Sequence, residues 1–92
     1  MDNEFKIKVP LKKLRKIRRD LKINQTMVAE FLGVTTQFYS QVERGINVLS
    51  YSNALKIAVF FNTTPDELFK EDFLAANKRL QELNKFKKSS RK

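Results

Sequence analysis

Apolar residues recur three and four positions apart over most of the chain. From Pro10 onward Leu11, Leu14, Ile17 and Leu21 form one stripe, while Lys12, Lys13, Arg15, Lys16 and Arg19 cover the other side. That spacing predicts a half-buried helix over Pro10 to Lys22. Pro10 suits its first position, where a backbone N–H is not needed. Three further helices each follow a side chain able to cap: Asn24 before Gln25–Leu32, Thr35 before Thr36–Arg44, and Ser50 before Tyr51–Phe61. In the last of these Ala54, Leu55, Ile57, Ala58 and Phe61 are the inward positions. The two glycines, Gly33 and Gly45, and then Asn62 stand just past helix ends, where a left-handed residue closes the turn. Thr64-Pro65-Asp66-Glu67 has the form of a capping box with Pro at the first helical position, and it opens a fifth helix carrying Leu68 and Phe69. The expected fold is an all-α bundle of five short helices over residues 10–69.

The two ends are patterned differently. In residues 1–9, Phe5, Ile7 and Val9 alternate with Glu4, Lys6 and Lys8, the period of a half-buried strand. A single strand needs a partner, so this segment either pairs or remains an arm. In residues 70–86, Phe73, Ala76, Leu80 and Leu83 are three and four apart, which predicts a basic C-terminal helix. It either folds back on the bundle or supplies dimer contacts through those four residues; two heptads are too short for an independent coiled coil. Residues 87–92 read as a disordered basic tail.

Charge narrows the function. Lys and Arg number 19 against 10 acids, for a net +9. The excess lies at the ends: residues 1–22 carry +6, residues 23–69 carry −2 and residues 70–92 carry +5. Basic ends around a nearly neutral centre suit a polyanion whose phosphates are held by the flanks while the middle reads something else. There is no Cys and no His. Thiolate nucleophiles, imidazole bases, disulfides and the usual zinc sites are thereby excluded, and no cofactor, metal or enzymatic activity is expected. The longest apolar run, Ile57 to Phe61, is far short of the ~20 residues of a membrane span, so a cytoplasmic protein without membrane contact is expected.

Gln25 to Arg44 is the most specific stretch. Two helices of similar length are joined by a turn containing Gly33, with Val28, Leu32, Val34 and Val42 at inward positions. Ala29 falls where two helices crossing at ~90–120° would meet, and a larger side chain there would part them.

On these residues the segment from Leu14 to Phe69 resembles the Cro-repressor-like, or xenobiotic-response-element, helix-turn-helix family. The matching positions are Arg18, Gln25, Val28-Ala29, Leu32-Gly33-Val34, Ser40, Val42-Glu43-Arg44-Gly45, Ala54 to Ala58 and Thr64 to Leu68. Three positions depart from the pattern. Tyr39 replaces a branched aliphatic, Lys22 stands where Gly often closes the first helix, and Leu49 takes the place of a frequent Pro. A buried Tyr39 hydroxyl would need a partner.

The resemblance implies roles. Helix three would be the recognition helix, with Thr36, Gln37 and Gln41 toward base edges in the major groove; Gln pairs well with adenine and Thr with thymine. Gln25, Ser40, Arg44 and Asn47 would contact phosphates, and Arg18 with Glu43 would form a structural ion pair. The expected function is sequence-specific binding of double-stranded DNA by a transcriptional regulator, with repression the expected sense. A homodimer on a palindromic operator is the expected assembly. The competing reading is an antitoxin or adaptor that engages a protein partner, with DNA binding auxiliary.

Overall fold

The computed structural model describes residues 6–77. Its elements are β1 (Lys6–Ile7), α1 (Lys12–Asp20), α2 (Gln25–Leu32), α3 (Thr36–Glu43), β2 (Leu49–Ser50), α4 (Tyr51–Phe60) and α5 (Pro65–Ala76). Phe5, Leu80, Leu83 and the tail 87–92 lie outside the described residues.

Capping side chains start four of the helices. Asn24, Thr35, Ser50 and Thr64 accept from the N–H groups of Met27, Phe38, Asn53 and Glu67, and Pro65 occupies the first turn of α5. Helix α1 is the exception. Leu11 offers no capping oxygen, and Pro10 lies ahead of the helix rather than in it. The Leu11 N–H is instead held by the Glu43 carbonyl at 2.9 Å, and the Lys13 N–H by Asp72 Oδ2 of α5 at 2.8 Å. A carboxylate from a distant helix thus occupies the positive end of the α1 dipole.

The first four helices all end the same way. Lys22, Gly33, Gly45 and Asn62 have φ of 60, 77, 81 and 58°. The N–H that follows each reaches back five residues, as from Val34 to Ala29 O at 3.0 Å and from Ile46 to Gln41 O at 2.8 Å. This is the Schellman closure, which satisfies the carbonyls a helix end leaves open.

The core gathers Leu14, Val28, Leu32, Tyr39, Val42, Ile57, Leu68 and Phe69 with small residues at Ala29, Ala54 and Ala58. Helix α2 packs on α3 and α4, and α1 packs on α5. Ala29 is buried to 1% exposure between the helices it must let approach. The alternating N-terminal segment pairs: β1 runs antiparallel to β2, with Lys6 opposite Ser50 and Ile7 opposite Leu49, and Ile7 is buried.

Three expectations are corrected. Leu21 is exposed because the closure at Lys22 turns the chain away before the stripe completes its next turn, and Leu55 is exposed on the outer side of α4. The division at residue 69/70 falls inside α5, which continues to Ala76 because Phe73 packs against the core and Asp72 caps α1. Ala76 is exposed.

Candidate nucleic-acid interface

Helix α3 has one buried side and one bare side. Tyr39 and Val42 are at 0% and 3% exposure, while Thr36, Gln37 and Arg44 are exposed and Ser40 and Gln41 half-buried. Residues 37 and 41 are one turn apart and share the polar side.

The buried side is locked by a polar network around one carboxylate. Arg18 Nε donates to Glu43 Oε2 at 2.7 Å and a second guanidinium nitrogen donates to Oε1 at 3.0 Å, a bidentate pair. The remaining arm of the guanidinium bonds the Ile23 carbonyl at 2.9 Å. The Tyr39 hydroxyl donates to Oε2 at 2.8 Å and the Gln25 amide to Oε1 at 2.9 Å. Burial pushes the Glu43 carboxyl up, but the hydrogen bonds from Arg18, Gln25 and Tyr39 together outweigh it and hold the group below its ordinary value. Its hydrogen bond to Glu43 outweighs burial at Arg18, which is pushed up; burial, then the Glu43 charge, drives the Tyr39 phenol well above its usual range. The network therefore stays an ion pair with a neutral phenol, and it ties α1, the start of α2 and the end of α3 into one unit.

The site residues expected from sequence fall into three groups. Gln37 has no intramolecular partner among the described residues, and Thr36 Oγ1 bonds Thr26 Oγ1 across the turn at 3.2 Å. Gln41 and Asn47 are joined: Asn47 Nδ2 donates to Gln41 Oε1 at 3.3 Å, and the Asn47 N–H bonds the Gln41 carbonyl at 3.1 Å. Asn47 Oδ1 also accepts from the Val48 N–H at 3.0 Å, so it is held in place. Gln25, expected on phosphate through its side chain and backbone N–H, has its side-chain amide committed to Glu43, and its backbone stands in the first turn of α2.

The partner that a buried Tyr39 hydroxyl needs is Glu43, four residues on along the same helix. Thr26 sits beside Thr36 on the exposed side of the turn, a contact set by the turn and not by any local pattern.

Residues 14–68 match the helix-turn-helix family model, more than half of the chain. The chain belongs to the Cro/C1-type helix-turn-helix family. No curated protein matches it in sequence. Among solved structures it is similar to the restriction-modification controller protein C.AhdI from Aeromonas hydrophila, at 33% identity and a TM-score of 0.59, covering 63% of this chain and 88% of that one. As a member of this helix-turn-helix family the protein is a DNA-binding transcription regulator with an all-α fold. Among its described residues no helix is long and apolar enough to cross a membrane.

Proposed function

We propose that the protein is a sequence-specific repressor that binds double-stranded DNA as a homodimer in the cytoplasm, by occupancy alone and without a catalytic step. Helix α3 enters the major groove and presents Thr36, Gln37 and Gln41 to base edges. The observation that carries this reading is the contrast across α3: one side clamped by Arg18, Glu43 and Tyr39, the other polar and accessible. A reader must be rigid before it meets its site, since ordering it on binding would cost affinity. The Asn47 bond to Gln41 supports the same role. It uses one lone pair of Oε1 and orients the amide, leaving the second lone pair and the NH2 for an adenine edge.

Arg44, Asn47, Ser40 and the first turn of α2 at Gln25 are assigned to phosphates, where they set register and not sequence. For Gln25 the contact is through its backbone N–H, because its side chain supports Glu43. Phe73 is occupied by the core, so of the expected dimer contacts the exposed Ala76, with Leu80 and Leu83 beyond it, remain assigned to pairing. In that dimer two α3 helices ~34 Å apart meet successive turns of a palindromic operator.

Selection of bound duplexes from a random pool tests the proposal. It should return one motif with two inverted half-sites about one helical turn apart. A pool that stays random through repeated rounds would reject sequence reading.

A further inference from the structure

A cleft of about 380 Å³ lies where the chain enters α1 and leaves α3, lined by Pro10, Leu11, Lys12, Arg15, Glu43, Arg44 and Ile46. It exists because the two segments are stitched together at that point. The Leu11 N–H bonds the Glu43 carbonyl, and Gly45 lets the backbone of Val9 and Pro10 approach so closely that a Cβ on residue 45 would lie 2.6 Å from both.

The cleft is lined by unpaired charge. Of the six cations of α1, Lys13 lies 3.8 Å from Glu71, Lys16 3.0 Å from Asp20 and Arg18 is paired with Glu43, while Arg19 is not among the residues lining the cleft. Lys12 and Arg15 have no acidic partner among the described residues, and neither does Arg44 across the cleft. All three line it. The one acid in the wall, Glu43, is already neutralised by Arg18 from the other side. Three cations line one cleft whose only acid is already paired, so the cleft favours an anion.

We infer that this cleft holds a phosphate group of the DNA backbone, so that Lys12 and Arg15 extend the contact surface of α3 past Arg44 and onto the strand flanking the bases it reads. This rests on the proposed DNA-reading role of α3 and adds to it two phosphate-binding residues on α1. The half-exposed walls of the cleft suit a phosphate that stays attached to a chain passing over it, and Arg15 and Arg44 offer planar forks that match phosphate oxygens.

The test is a salt titration of duplex binding by the full chain and three variants: Lys12→Gln with Arg15→Gln, Arg15→Lys alone, and a charge-matched control, Lys56→Gln with Lys70→Gln. The cleft variant should lower the slope of log affinity against log salt by about 0.9, the value for one phosphate, equally on selected and scrambled duplexes. Arg15→Lys should keep most of the slope, and the control should change it by less than half as much as the cleft variant. An equal loss in cleft variant and control would overturn the assignment, as would an unchanged slope in the cleft variant. In a second arm inorganic phosphate is titrated into the free protein and followed by amide shifts of residues 11–15 and 44–46. Saturable binding there, abolished in the cleft variant while the duplex slope stays unchanged, would make the cleft a site for a free phosphate compound and overturn the DNA contact. Should the wild type fail to prefer its selected duplex while the cleft variant still loses slope, base reading by α3 fails and the phosphate site stands.

Discussion

The Tyr39 hydroxyl and Arg18 Nε converge on the same oxygen of Glu43, Oε2, at 2.8 and 2.7 Å. One carboxylate thus holds a neutral donor from its own helix and a charged one from α1, at a site where Glu43 keeps only 3% of its surface. Removing it strands a buried guanidinium. Glu43→Ala should lower unfolding free energy by about 3–5 kcal/mol, the range for breaking one side of a buried pair. Tyr39→Phe should cost less, about 1.5–3 kcal/mol, the usual worth of a hydrogen bond to a charged group. Urea unfolding of both variants checks the order; a Glu43→Ala protein as stable as the wild type would contradict the clamp.

The same carboxylate makes stability depend on pH. Its folded pKa lies below the ordinary value of 4.5, so the unfolded chain takes up this proton first as the solution is acidified. Its contribution is fully present above about pH 4.5 and is lost as the pH falls through the lower folded value. The acid limb of the stability curve should therefore be steeper in the wild type than in Glu43→Gln. Parallel curves below that pH would show that the group does not titrate differently on folding.

The two glycines should respond unequally to the same change. Gly33 and Gly45 both have positive φ, 77 and 81°, which penalises any side chain by about 1–2 kcal/mol. Around Gly33 an added Cβ meets open space, whereas at Gly45 it meets the backbone of Val9 and Pro10 at 2.6 Å. Gly33→Ala should thus cost only the backbone term. Gly45→Ala should cost clearly more and loosen the entry to α1. Denaturation midpoints of the two variants decide this, and equal losses would contradict the close crossing.

The helices were legible in the sequence because their signals are local. Asn24, Thr35, Ser50 and Thr64 act within three residues of where they stand, and Gly33, Gly45 and Asn62 mark helix ends by their tolerance of positive φ. Lys22 takes up the same conformation; its residue type gives no sign of it, and only the family resemblance marks the position as one where Gly often stands. What escaped notice depends on distant partners. Leu49 and Ser50 lead directly into α4, so nothing marks them as the mate of Lys6 and Ile7. Asp72 caps a helix 59 positions away. On the site itself, residue types on α3 indicated the polar side, but the Gln25 amide turning to Glu43 and the convergence of Lys12 and Arg15 on Arg44 arise only where helices meet.

In the proposed complex α3 meets bases with one set of side chains and is held to the DNA backbone by another. Salt titrations of the wild type, Gln41→Ala and Arg44→Ala, on the selected duplex and a scrambled one, separate the two sets. The wild type should prefer its selected site by ~10³ or more. Gln41→Ala should narrow that margin by about 1–3 kcal/mol at unchanged slope, and Arg44→Ala should lower the slope by about 1 and keep the margin. If both variants rescale binding to every duplex alike, α3 is not the reader.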